Sequence, residues 1–141
     1  MPDVAKRDFS GEFRRHVIRV INYIGNVDNI PDLKDEIVNA LDNEDAFLFA
    51  KGDKDDDAFF VLQPLVVDDK PAVNVLFAYC PDNNALKTYF PVIEALSKEI
   101  GAVLLTGYTR HEKIFAICES LGFIRTGKTN QDLIKFYKPI E

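Results

Sequence analysis

The stretch Val73-Asn74-Val75-Leu76-Phe77-Ala78-Tyr79-Cys80 reads as an apolar strand. It runs through the polar turn Pro81-Asp82-Asn83-Asn84 into an amphipathic helix. A strand that feeds directly into a helix leaves the first helical N–H groups without partners, and those groups can bind an anion such as a phosphate. Lys87 adds positive charge there and Asp82 opposes it. A second helix opening, Thr109-Arg110-His111, offers a guanidinium suited to phosphate or carboxylate and an imidazole suited to general-base work at neutral pH. Each has a plainer use, as a polar strand-to-helix turn and as solvated first-turn residues. No nucleophile–base–orienter triad is readable. Cys80 and Cys118 belong to no Cys-x-x-Cys pair or Cys/His cluster, so no metal site is expected. The acidic run Lys51-Gly52-Asp53-Lys54-Asp55-Asp56-Asp57 lacks the ordered spacing of a calcium loop and reads as a solvated hairpin tip.

These groups need elements to hold them. Ser10 is a helix N-cap, followed by Phe13, Val17, Val20, Ile21 and Ile24 at helical spacing, with Gly25 as the expected stop. Arg14, Arg15 and Arg19 fall on the other face, and His16, among them, is expected at the surface. A second helix is expected from Pro31, with Leu33, Ile37, Ala40 and Leu41 as its apolar stripe. Ala46–Ala50, Ala58–Val67 and Val73–Cys80 form an antiparallel meander, with Pro64 marking a bulge or an edge. Pro91 is tolerated only in a first turn, so the next helix is placed to start near Thr88 as N-cap and to close at Gly101. Ala102–Thr106 is a buried strand. Ile114, Ile117, Cys118 and Leu121 stripe the last helix, Gly122 caps it, and Phe123-Ile124 pairs with Leu133–Lys138 across Thr126–Asp132. Met1–Asp8 offers only Val4 to a first strand, which is short or missing. The expectation is one α/β domain over residues 1–141, built on a mixed sheet.

The bulk numbers bound the function. A 47% hydrophobic fraction in 141 residues builds a core without metals or disulfides. A net charge of −6 without a Lys/Arg-rich run argues against a nucleic-acid-binding surface. No apolar run approaches membrane-spanning length and no signal peptide is visible, so reduced thiols and a cytoplasmic location are expected.

The order strand, turn, helix, strand, helix, ending in Leu121-Gly122-Phe123, resembles the GNAT (Gcn5-related N-acetyltransferase) superfamily over roughly the C-terminal half of the chain. The Thr109-Arg110 opening resembles a variant in small phage-encoded GNAT-like proteins. The resemblance implies a GNAT-like acyl-CoA N-acyltransferase fold and acetyl-CoA or coenzyme A as the bound partner. It also implies direct attack of an amine on the thioester. By the same resemblance, Phe77, Ala78 and Tyr79 lie on the splayed strand that pairs with the pantetheine arm. Asn83, Asn84, Lys87 and Thr88, with Arg110, fall where the coenzyme is held. The family writes its phosphate cradle as Arg/Gln-x-x-Gly-x-Gly/Ala. The matching Asp82–Thr88 segment has no glycine and is a degenerate form of it. Many members place a Tyr four residues before the Gly of the Gly-Phe pair, to protonate the departing thiolate. Cys118 stands in that position. A thiol, with a reference pKa of about 8.5, can donate a proton. Cys118 equally fits the apolar stripe as a small hydrophobe, and Tyr108 is the alternative phenol. His111 stands where an Asn often contacts the coenzyme. The acidic base usual on the middle strands is missing from Val73–Cys80. Two functions follow: an N-acetyltransferase acting on an amine, including one on a host protein, or a phage-encoded GNAT-fold protein that binds and modulates a host enzyme in the host cytoplasm. Monomer and dimer are both open.

Overall fold

The computed structural model describes residues 4–51, 58–79, 85–129 and 133–140. Seven strands are hydrogen-bonded in the order β1-β2-β3-β4-β5-β7-β6, with four helices among the described residues. The chain divides into two compact units. Asp3–Gln63 with Leu76–Pro81 form an N-terminal unit, and Pro64–Val75 with Asp82–Glu141 form a C-terminal unit.

In the N-terminal unit, β1 (Val4–Lys6) is the short first strand and pairs antiparallel with β2 (Phe47–Lys51). Helix α1 (Gly11–Val27) starts after Ser10, whose extended backbone makes it the N-cap and whose carbonyl accepts the Arg14 N–H at 3.2 Å. Phe13, Val17 and Ile21 are its buried stripe. Gly25 does not end the helix. It lies inside it, where an added Cβ would meet the Ile30 carbonyl oxygen at 3.3 Å and the Leu33 Cβ at 3.4 Å. The missing side chain serves close helix packing, and the left-handed residue is Asn29, at φ 56°. Helix α2 (Leu33–Asp42) starts two residues after Pro31, behind Asp32, and buries Leu33, Ile37 and Leu41. A two-pronged Arg14–Asp42 ion pair, at 2.7 and 3.2 Å, ties the two helices and holds the Asp42 carboxyl below its ordinary pKa through that side-chain hydrogen bond.

Strand β3 (Phe59–Val67) pairs antiparallel with β2 from Phe59 to Leu62. Pro64 lies just beyond that ladder, so no β2 carbonyl asks it for a missing N–H. Asp68 and Asp69 both have positive φ (50° and 66°) and form the two-residue turn into β4 (Lys70–Tyr79). Two consecutive left-handed residues match the right-handed twist of a hairpin. The segment Gly52–Asp57 lies outside the described residues.

In the C-terminal unit, β4 is linked through α3 (Ala85–Glu99) to β5 (Leu104–Thr109), which runs parallel to it. Helix α3 is already helical at Ala85, so Thr88 is not its N-cap and Pro91 lies inside it. Proline there removes the hydrogen bond that the carbonyl four residues earlier would accept, and its ring crowds that carbonyl. Helix α4 (Glu112–Ser120) leads to β6 (Ile124–Lys128), and β7 (Ile134–Pro139) returns between β5 and β6, antiparallel to both. The hairpin is tighter than expected because β6 runs through Thr126 to Lys128, with a bulge between Arg125 and Gly127. Phe90, Phe115, Phe123 and Phe136 form the core cluster, with centroid separations of 5.1, 5.3 and 5.7 Å along the chain of contacts.

All four described helices end alike. The N–H one residue past the left-handed position bonds the carbonyl five residues before it, and the left-handed residue itself bonds the carbonyl three before it. The residues are Asn29 and Ile30 after α1, Glu44 and Asp45 after α2, Gly101 and Ala102 after α3, and Gly122 and Phe123 after α4. Gly122 caps α4 as the sequence anticipates.

Candidate functional site

In the C-terminal unit the site is built around the rungs where β4 pairs with β5 and the end of β5. Their parallel pairing covers Ala72–Asn74 against Leu104–Thr106 and ends there, although β5 continues to Thr109. The last residues of β5 are held from the β7 side, through Gly107↔Phe136, Tyr108↔Lys135 and Thr109↔Ile134. Gly107 is required there: a Cβ would sit 2.9 Å from the Phe136 ring. On the last parallel rung, the buried Asn74 (7% exposed) accepts a hydrogen bond at its Oδ1 from the Thr106 hydroxyl, at 2.9 Å. Sequence reasoning missed this pair. An amide in the run Val73-Asn74-Val75 was the available signal, since buried polar groups demand partners.

Beyond β5 the chain turns into α4. The Thr109 hydroxyl accepts the His111 N–H at 3.2 Å, and the exposed His111 precedes the helix, its carbonyl taking the Phe115 N–H at 3.0 Å. Tyr108 and Arg110 are half-buried and adjoin it in sequence. Glu112 opens the helix and receives the Arg125 guanidinium at 3.3 and 3.4 Å, so a carboxylate already stands at this N-terminus. Tyr108, Arg110 and His111 are therefore held together at one strand-to-helix turn. Cys118 is not with them. It lies seven residues along α4 from His111, a rise of about 10 Å, and is 2% exposed. Burial pushes its pKa up to about 11, so it remains a thiol at neutral pH.

In the N-terminal unit, the end of β4 carries Phe77, Ala78 and Tyr79. Phe77 stacks on Phe59 at 5.8 Å, Tyr79 lies against Phe59 at 5.6 Å, and Ala78 is exposed. His16 completes this cluster and corrects the surface expectation. It is 6% exposed, with ring centroids 5.8 Å from Phe59, 5.9 Å from Phe13 and 6.3 Å from Tyr79. Its Nε2 is buried without a hydrogen-bond partner. The signal was its position one turn after Phe13 and next to Val17, on the apolar stripe. Asn83 and Asn84 lie outside the described residues, while Lys87 and Thr88 belong to the first turn of α3.

The strand order and the crossover through α3 can be compared with solved structures. An aminoglycoside 6'-N-acetyltransferase complexed with coenzyme A matches with a TM-score of 0.74 at 14% identity, over 98% of this chain and 97% of that one. A Bacillus subtilis acetyltransferase in complex with coenzyme A matches at 0.73 and 12% identity, over 100% of both chains. A GNAT-family acetyltransferase from Staphylococcus aureus matches at 0.66 and 15% identity, over 98% of this chain and 99% of that one. The chain has the GNAT fold. No family model matches the sequence, and no curated protein matches it. The GNAT likeness thus covers nearly the whole chain and reaches past the C-terminal half where the sequence suggested it. No described helix is long and apolar enough to cross a membrane.

Proposed function

We propose that this GNAT-fold protein binds acetyl-CoA and transfers the acetyl group to an amine. The observation that carries the reading is the end of the β4–β5 ladder at Asn74–Thr106. Beyond that rung β5 continues alongside β7, and an extended ligand can align with a strand through main-chain hydrogen bonds. An amide-bearing arm such as pantetheine has the donors and acceptors to supply them. The residues fit that ligand in chemical type. In the C-terminal unit, the first turn of α3, with Lys87 and Thr88, and the preceding Asn83 and Asn84 take the phosphates, and Arg110 adds a fixed positive charge.

When bound, acetyl-CoA supplies an activated acyl group, and the protein's own part is orientation and proton handling. His111, exposed at the start of α4, is placed to serve as the general base, and Tyr108 is the neighbouring phenol. Cys118, buried and protonated, contributes packing.

Calorimetric titration with acetyl-CoA tests the proposal. A dissociation constant in the micromolar range, followed by thiol release from acetyl-CoA on addition of one of a panel of amines, is the expected result. The absence of any binding at millimolar acetyl-CoA overturns it.

A further inference from the structure

His16 is the polar centre of an aromatic cluster that lies wholly in the N-terminal unit. Phe13 and His16 come from α1, Phe59 from the start of β3, and Phe77 and Tyr79 from the end of β4. The imidazole stands 5.8 Å from the Phe59 ring, 5.9 Å from Phe13 and 6.3 Å from Tyr79, centroid to centroid, and Phe77 stacks on Phe59. It is 6% exposed, and its Nε2 has no hydrogen-bond partner. Such an atom is costly to bury. Packing does not ask for it, since an apolar side chain would fill a place on the α1 stripe without that cost. Phe13 and Phe59 are buried while Phe77 and Tyr79 are half-buried, so the cluster meets solvent on its β4 side. Apart from the Tyr79 hydroxyl, the imidazole nitrogens are the only polar side-chain atoms these residues have. A ligand that suits them is therefore mainly apolar and brings one polar group to Nε2. An imidazole with its proton on Nδ1 presents Nε2 as an acceptor, and the faces of aromatic rings attract a cation. An ammonium on an apolar stem answers both. The cluster already receives one cation on its rim, where the Arg7 guanidinium stands over the Phe13 ring at 3.8 Å.

We propose that the His16 cluster is a binding site for a primary monoamine on an apolar stem, the amine N–H donating to His16 Nε2 and the stem lying against Phe59 and Tyr79. Naming this amine the acetyl acceptor rests on the acetyl-CoA reading; its binding does not. The same chemistry states what the site refuses. A second ammonium, or the hydroxyls of an aminosugar, would be stripped of water among these rings and would find no carboxylate or carbonyl from their side chains in return. His16 is then a group whose cost in the free protein is recovered when the ligand arrives.

The test uses the whole chain and four probes: 2-phenylethylamine and n-butylamine as monoamines on apolar stems, spermidine as a polycation and glucosamine as an aminosugar. Calorimetry should show the two monoamines binding in the micromolar to millimolar range, and spermidine and glucosamine at least about 10-fold more weakly. His16→Leu should weaken 2-phenylethylamine by about 10-fold or more while remaining folded. In wild type, the ¹⁵N resonance of His16 Nε2, assigned by its loss in His16→Leu, should move on saturation with either monoamine. Unchanged affinity in folded His16→Leu overturns the site, as does an unmoved Nε2 resonance at saturation, including one held by a buried water that the amine leaves in place. Spermidine or glucosamine binding as tightly as 2-phenylethylamine overturns the monoamine class. Failure of both monoamines to bind, in a protein that still binds acetyl-CoA, ends this proposal and leaves the acetyl-CoA reading standing. Monoamine binding with the Nε2 shift, in a protein that does not bind acetyl-CoA, supports the site and ends the acetyl-CoA reading instead.

Discussion

The two units meet the same structural demands with different chemistry. The C-terminal unit closes its helices with Gly101 and Gly122 and fills its core with Phe90, Phe115, Phe123 and Phe136. The N-terminal unit closes its helices with Asn29 and Glu44 and builds His16 into an aromatic cluster with Phe13, Phe59 and Tyr79. Glycine reaches the left-handed region without strain, asparagine nearly so, and glutamate only at a cost. A phenylalanine cluster has no polar atom to satisfy, whereas the His16 Nε2 is buried without a partner. The difference teaches that one geometry tolerates unequal sequences, and that stability has been given up mainly on the N-terminal side.

The largest test of that contrast is Phe136→Ala. Phe136 touches Phe115 and Phe123 and lies on Gly107. Its truncation should cost about 3–5 kcal/mol by denaturant unfolding. A loss near 1 kcal/mol, well below the usual range for a buried Phe, would mean that the cluster collapses easily and is no better packed than its N-terminal counterpart. His16→Leu should act in the opposite direction. Removing an unsatisfied buried nitrogen should raise the unfolding free energy by about 1–2 kcal/mol. A loss of stability would show that the imidazole has a partner in solution, such as a buried water, and the contrast would narrow. The smallest effect belongs to Glu44→Gly. Relief of a left-handed glutamate should give about 0.5–1 kcal/mol, while Gly122→Ala, the mirror experiment, should lose stability. Equal and opposite shifts would establish that cap chemistry distinguishes the two units.

The same contrast explains what could be read from the chain alone. Gly101, Gly122 and Phe123 announce their roles by residue type, so α4, its cap and the strand after it were legible, as was the element order. Gly25 misled because glycine signals both a stop and a close approach, and only the packing of Ile30 and Leu33 decides between them. Pro91 misled through a propensity that holds for isolated helices but yields to tertiary packing. Of the site, the Tyr108–His111 turn was visible as a helix opening. His16 and Asn74 were not, because a polar residue in an apolar pattern does not reveal whether its side chain is buried. Burial depends on partners distant in sequence, such as Phe59 for His16 and Thr106 for Asn74.

The strand order leaves β1 and β6 at the two ends of the ladder. β1 is three residues long. β6 is exposed along its whole length, yet its pairing is broken by the bulge before Gly127 and it carries Arg125 and Lys128. Unpaired strand edges are templates on which other chains can polymerise, and short length, bulges and positive charge are the devices that blunt them. Each end of this sheet has one of those devices or more. Flattening β6 by deleting the extra bulge residue would therefore convert a protected margin into a place where aggregation begins.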